Sequence, residues 1–353
     1  MAASGHSFTP IVQTHSLLLD LRALSGVIAV DQPQRRAEVA AGSALASLGE
    51  PLWSAGLSIE NQGDIDAQSI AGAIATGTKG SGTAFGSLSS RVTSLRLVNG
   101  LGEVMDIDAA TADYLRAAQV SLGMLGPVLR VGLQLVPAYR LKEENMILPM
   151  DEVLRQWDYL LAHYRHFSFW WMPGDRSADL YKLGEVPAGH CFVKLLREAP
   201  AHEPDIPQGA PNRRTDRAYR IYPDGSTVAE FHELEYMVDA RDAREAVDRV
   251  QHLMRTGYPR EISPPCRCVG RKATAAICRR NPAVTAPPFP FQGKSAVTTC
   301  LFSGRWTGRY NRWARVLIGE NFTSLTAGGW PNFTPILNAS SKYAGGLIRR
   351  TFF

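Results

Sequence analysis

The chain has 353 residues, enough for two domains with sizeable cores, and its 45% hydrophobic and 20% charged content is that of an ordinary globular protein. No apolar run approaches the ~20 residues of a membrane helix, so no integral membrane segment is expected. The net charge of +5 is unevenly spread: from residue 264 onward there are 13 Lys and Arg against one acidic residue, Glu320, which leaves an acidic body and excludes nucleic acid as a partner.

Residues 17–30 read as extended pieces, and 37–41 as a short strand. Ser43 is placed to cap a helix running to about Gly56, with Leu45, Leu48, Leu52 and Trp53 on one face. Strands over 91–98 and 103–107 flank Asn99-Gly100, a tight-turn dipeptide. Residues 111–119 read as a helix, and 127–136 alternate as a half-buried strand. Past Pro137 a second region begins. The aromatic run 167–172 reads as a strand, 198–226 as a loop rich in Pro, Gly and charge, and 230–237 as a strand. Ala243, Val247, Val250 and Met254 then mark a helix over 239–255.

The segment 63–82 carries the densest chemistry. It is rich in glycine, which lets the backbone approach a ligand and take positive φ. Its backbone N–H groups, with hydroxyls at Ser69, Thr76, Thr78 and Ser81, suit a pyrophosphate; a solvent loop is the alternative. No G-x-G-x-x-G opens a helix after a strand, so a Rossmann site is excluded. Near the start, Ser4-Gly5-His6-Ser7 forms a glycine–histidine turn. Glu233 and Glu235 lie two apart on a strand, hence on one face; they are candidates for acid–base work or for a structural role. Trp170 and Trp171 are expected to pack rather than to stack on a ligand. Cys266-x-Cys268 has the wrong spacing for zinc and no histidine follows Cys300, so no metal site is expected.

Together, Ser4-Gly5-His6-Ser7 and the run from Asn61-Gln62-Gly63-Asp64-Ile65-Asp66 to Lys79-Gly80-Ser81-Gly82 resemble the aldonolactone and alditol oxidases, within the vanillyl-alcohol-oxidase (PCMH-type FAD-binding) class of flavoproteins. The resemblance covers roughly residues 1–262. It implies an α+β fold: a two-subdomain PCMH-type FAD-binding domain over 1–138, incomplete at its N-terminus, then a partial α+β cap domain over 139–262. It places FAD contacts on Ser4, Gly5, His6, Ser7, Gly63, Asp64, Ile65, Asp66, Ser69, Gly72, Thr76, Gly77, Thr78, Lys79, Gly80, Ser81 and Gly82. His6 becomes the candidate for covalent flavin attachment, and Lys79 replaces a histidine common in the family. Ser121-Leu122-Gly123 resembles a turn leading into the strand at Val128, whose backbone lies on the adenine side. The implied reaction oxidises a CH–OH group of a sugar-derived lactone or polyol, with hydride passing to flavin N5 and then to oxygen or another acceptor. A non-catalytic FAD-binding remnant, or a fragment of a disrupted oxidase gene, stays open as the alternative. The near-absence of cysteine before residue 263 suits a cytoplasmic protein.

From residue 263 the resemblance stops, and four of the five cysteines fall in this tail. Relatives continue with Leu-Ser-Pro-x-x-Gly-Arg and, later, Arg-Pro-His-Trp-Gly-Lys. Codons permitted for 276–285, read one base earlier, give Tyr-Leu-Ser-Pro-Gln-Ser-Gly-Arg. Those for 312–323, shifted the same way, give Leu-Gly-Ala-Arg-Pro-His-Trp-Gly-Lys-Phe-His. The tail, 263–353, is therefore expected to be frameshifted and not natively packed.

Overall fold

The computed structural model describes residues 4–6, 12–206, 213–224, 232–257, 266–272, 296–304 and 334–336. Its first part is built on a five-stranded antiparallel sheet in the order β1-β2-β6-β4-β5. In chain order the elements are β1 (Val27–Asp31), β2 (Arg36–Ala40), α1 (Leu45–Ser54), the two-residue β3 (Leu57–Ser58), α2 (Ile70–Ala75), β4 (Val92–Val98), β5 (Val104–Ile107), α3 (Ala112–Gln119), β6 (Val128–Gln134) and β7 (Val136–Pro137). Alternation on β4 and β6 turns Leu95, Leu97, Val131 and Leu133 inward, against Leu45, Leu48 and Leu52 of α1 and Ile70 and Ile74 of α2.

Two local expectations are corrected. Ser43 does not cap α1; Ala44 occupies that position, because the Ser43 hydroxyl donates to Ala40 O at 2.7 Å and accepts from Gly26 N at 2.9 Å. The β4–β5 connection is longer than a two-residue turn. Asn99 Oδ1 accepts from Leu101 N (2.9 Å) and Glu103 N (3.0 Å), and Gly102, not Gly100, takes the positive φ of 83°.

The second part is an eight-stranded antiparallel sheet in the order β11-β8-β10-β9-β13-β14-β12-β15. It comprises β8 (Arg140–Pro149), α4 (Met150–His163), β9 (His166–Trp171), β10 (His190–Ala199), β11 (Thr215–Arg217), α5 (Ala218–Ile221), β12 (His232–Asp239), α6 (Ala243–Gly257), β13 (Cys266–Lys272), β14 (Ala296–Gly304) and β15 (Thr334–Ile336). The loop expected over 198–226 thus contains a strand and a helical turn. The last three strands come from beyond residue 263. No helix among the described residues is long and apolar enough to cross a membrane.

One face of this sheet is hydrophobic and is covered by α4 and α6. Phe167, Phe169, Trp171, Val193 and Leu195 pack there against Val153, Trp157, Leu160, Val247 and Met254. Trp157 meets Phe167 and Phe169 edge-on, with ring centroids 5.9 and 5.6 Å away. Phe169 is 1% exposed and sits in the middle of this cluster. Phe169→Ala is expected to lower unfolding free energy by about 3–5 kcal/mol in urea titrations. Val104→Thr, at a position 60% exposed, serves as the control and should stay within about 0.5 kcal/mol of the parent.

Candidate functional site

The other face of the eight-stranded sheet is polar yet buried. Directly paired residues of antiparallel strands share a face, so the register defines three cross-strand rows. The first joins Glu143, Leu196 and His166; the second joins Asn145, Lys194, Ser168 and Val269. The third runs Ile147, Phe192, Trp170, Arg267, Leu301 and Glu235. Glu143, His166, Ser168 and Lys194 are each less than 5% exposed, which side chains of these types reach only when something covers and pairs them.

What covers them is the glycine-rich segment of the first domain. Its two ends, 61–64 and 78–82, lie side by side. Asn61 Nδ2 donates to Ser81 O at 3.1 Å, and a Cβ on Gly80 would stand 2.1 Å from Gln62 O. Gly77 and Gly82 take φ of 69° and 101°, values that side-chain-bearing residues avoid. From the sheet, His166 Nδ1 donates to Ser81 O at 2.9 Å and Arg165 Nη2 donates to Glu60 O at 2.9 Å. The strap 213–224 closes the junction: Asp224 N donates to Asp64 O at 3.0 Å, and the Tyr222 hydroxyl lies 2.8 Å from His166 Nε2. Gln62, Asp64, Ser81, His166, Ser168, Lys194, Leu196 and Tyr222 together line a small cavity.

Charges at this junction are paired. Lys194 bonds Asp224 and lies 3.8 Å from Glu143, Arg214 Nε donates to Glu143 at 2.6 Å, and Asp64 pairs with Arg267. Burial opposes ionisation of Asp64, but the Arg267 and Lys194 cations outweigh it and hold its carboxyl below the usual range. For Asp224 burial wins over Lys194, and its carboxyl is pushed up. Burial, reinforced by the Arg165 cation, lowers His166 to about 3, so its imidazole is neutral.

Comparison with known sequences agrees with this architecture. Residues 1–108 match the family described as FAD binding domain, and residues 131–198 match the family described as D-arabinono-1,4-lactone oxidase. A Mycobacterium tuberculosis L-gulono-1,4-lactone dehydrogenase is 36% identical over 277 residues, covering 71% of this chain and 64% of that protein. The D-arabinono-1,4-lactone oxidase of Saccharomyces cerevisiae is 34% identical over 184 residues, covering 51% of this chain and 35% of that protein. The chain is similar to the FAD-linked aldonolactone oxidases. It spans less than two thirds of the length of these relatives. A cholesterol oxidase crystal structure from B. sterolicum superposes with a TM-score of 0.69 over 94% of this chain and 76% of its own, at 15% identity, and so shares the fold.

FAD is the family's cofactor, and the residues present fit it. Asn61 Oδ1 and Gln68 Oε1, both in the glycine-rich segment, are buried acceptors without a donor among the described residues. At Gly63, Gly80 and Gly82 the paired loops lack the side chains that would stand against Lys79 O, Gln62 O and Arg165 O. Leu122 N donates to Ala75 O at 3.1 Å, which sets the Ser121-Leu122-Gly123 turn beside the C-terminus of α2, with Leu122, Met124 and Leu125 exposed. Val128 opens β6, where it pairs with Leu97.

The other expected positions are placed as follows. Ser69 caps α2, accepting from Gly72 N at 3.2 Å, and the Thr76 hydroxyl donates to Gly72 O at 3.0 Å. Thr78 O accepts from Leu88 N at 2.9 Å. Asp66 and Lys79 are half-buried and Ile65 is exposed. In the N-terminal turn, Gly5 takes φ of 67° and His6 is half-buried; Ser7 lies outside the described residues. Glu233 and Glu235 lie on β12, and Glu235 stands in the row of Trp170 and Arg267. Trp170 and Trp171 are both packed, on opposite faces, in separate clusters. Sequence reading misses His166, Lys194, Tyr222 and Asp224. Lys194 is detectable as the lone charge in the apolar run 191–196.

Because the folded pKa of His166 lies below its unfolded value of 6.5, the unfolded state binds the extra proton between pH 6.5 and 3. Stability contributed by the neutral ring is fully present above pH 6.5 and is lost as pH falls toward 3. His166→Asn is expected to flatten this acid limb by up to about 1.4 kcal/mol per pH unit. Urea midpoints measured from pH 7 to 4 check it; an unchanged slope would contradict the assignment.

Proposed function

We propose that this chain is an FAD-dependent oxidoreductase that oxidises a CH–OH group of a sugar-derived lactone or polyol. The observation that carries this reading is the buried polar face of the cap sheet, laid against the glycine-rich segment 61–82. A donor-rich wall beside a glycine-rich loop suits a polyhydroxylated substrate next to a flat cofactor. Bound there, FAD supplies the acceptor for the substrate hydride. The chain's own part is to hold the cofactor on the backbone of 63–82 and of the N-terminal turn, to exclude water, and to take the hydroxyl proton. Glu233 and Glu235 are our candidates for that proton, and His6 for a covalent link through its neutral imidazole. Oxygen or another acceptor reoxidises the cofactor, and the cytoplasm is the proposed location.

The full chain, purified with FAD, should show a flavin spectrum that bleaches anaerobically on adding L-gulono-1,4-lactone or D-arabinono-1,4-lactone. Flavin fluorescence should persist on a denaturing gel for the parent and vanish for His6→Ala. A colourless protein would sink the cofactor assignment, and a coloured one bleached by no lactone or polyol would favour the non-catalytic remnant.

One observation bears on activity. The basic, cysteine-rich composition after residue 263 coincides with the point where two family segments become readable one base earlier. We propose that the coding sequence is shifted there. Resequencing the DNA from about codon 255 onward is expected to reveal a one-base difference that restores the His-Trp-Gly-Lys segment. A confirmed frame would refute the shift and predict crippled turnover.

A further inference from the structure

The cap sheet reaches the glycine-rich segment at the carbonyl of Ser81. His166 Nδ1 is 2.9 Å from Ser81 O, and since a carbonyl only accepts, Nδ1 carries the proton. Nε2 is then a bare acceptor, and the Tyr222 hydroxyl 2.8 Å away must donate to it. That commits the single proton of Tyr222, whose oxygen accepts in turn from the Tyr139 hydroxyl at 2.7 Å. Glu60 O, 2.8 Å from the same Tyr139 hydroxyl, is supplied independently by Arg165 Nη2 at 2.9 Å. The relay therefore has one direction, from Tyr139 through Tyr222 and His166 to Ser81. Reversing it would require a carbonyl to donate.

The backbone on either side of Ser81 has no slack. A Cβ on Gly80 would meet Gln62 O at 2.1 Å, and one on Gly82 would meet Arg165 O, the carbonyl preceding His166, at 2.7 Å. The Ser81 peptide is thus clamped between its own domain and the first residues of β9. We propose that His166 is a positioning residue for the flavin: its Nδ1–H fixes the Ser81 peptide, and so the backbone of Gly80 to Gly82 that receives FAD, while Tyr222 and Tyr139 hold the ring in the tautomer that does this. The inference rests on the reading that 63–82 binds FAD.

The test titrates FAD into the full chain, following fluorescence quenching and the visible flavin bands. An asparagine amide reaches the place of Nδ1, and a glutamine amide that of Nε2. His166→Asn should therefore bind FAD within about 3-fold of the parent with unmoved bands. His166→Gln should bind about 10-fold more weakly and shift the bands, because it leaves the Ser81 carbonyl to Asn61 Nδ2 of its own loop and removes the donor that ties it to the sheet. Tyr222→Phe removes one hydroxyl with little threat to folding and frees the ring to take the other tautomer; its bands should shift as well. Equal behaviour of the Asn and Gln variants, or an unaltered spectrum in Tyr222→Phe, overturns the positioning role while leaving FAD binding intact. A parent chain that takes up no FAD overturns both this inference and the function on which it rests.

Discussion

A polar sheet face pressed against a loop must find a partner for every donor and acceptor that it buries, because each one left open costs about 1–3 kcal/mol. At the junction between the two parts of the structure the buried charges meet that demand, while Asn61 Oδ1, Asn145 Oδ1 and Trp170 Nε1 have no partner among the described residues. Lys194, 4% exposed, is answered by Asp224 and Glu143; Glu143 is answered again by Arg214; Asp64 is answered by Arg267. Removing one member of such a set strands a buried charge, at a typical cost of about 3–5 kcal/mol. The same volume filled with aliphatic side chains would be no less stable. The polar junction therefore gains definition rather than adhesion: it fixes one register of cap against loop.

The strap 213–224 supplies much of this fixing, since it touches three bodies at once. On one side α5 lies on α1, where Gly49 leaves room for the Tyr219 ring; a Cβ at that position would fall 2.3 Å from it. Arg217 and Tyr219 both bond Glu50 of α1. In the middle, Tyr222 and Asp224 reach His166 and Lys194 of the sheet, and Asp224 N reaches the loop at Asp64. Burial pushes the Tyr222 phenol up, so the hydroxyl stays protonated and available as a donor throughout the ordinary pH range. A segment that reads as loop from its Pro, Gly and charge content is in fact the tie between the domains.

Elements with a clean period are legible from the order of residues alone. The α1 stripe, the β4 and β6 alternation and the α6 spacing each emerge with small boundary errors, because burial follows the period. Residues 140–149 and 190–199 give no such signal, whereas Met150, Val153, Trp157 and Leu160 of α4 do stand at helical spacing. β8 begins Arg-Leu-Lys-Glu-Glu-Asn, a pattern that reads as solvated surface, yet Glu143 is buried by the junction. Residues 191–196 of β10 run apolar on both faces apart from Lys194, because both faces are covered there. The glycine-rich segment is legible because its residues are contiguous. His166, Lys194 and Tyr222 are not, since they meet it from three separate elements and only folding brings them together.

Asp64 links that legible segment to the part of the chain whose reading frame is in question. Its carboxylate is stabilised against burial by two cations, and one of them, Arg267, lies beyond residue 263. A half-buried aspartate beside a second carboxyl, Asp224, is held ionised by that extra positive charge. In the shifted frame, the last base of the Cys268 codon and the first two of the Val269 codon permit arginine at the position of Val269. That position stands in the row of Ser168 and Lys194, on the same polar face as Arg267. Either frame thus allows a cation on β13, the strand whose Arg267 pairs with Asp64. The electrostatic requirement set by residues 61–64 is stricter than the identity of the residue that meets it.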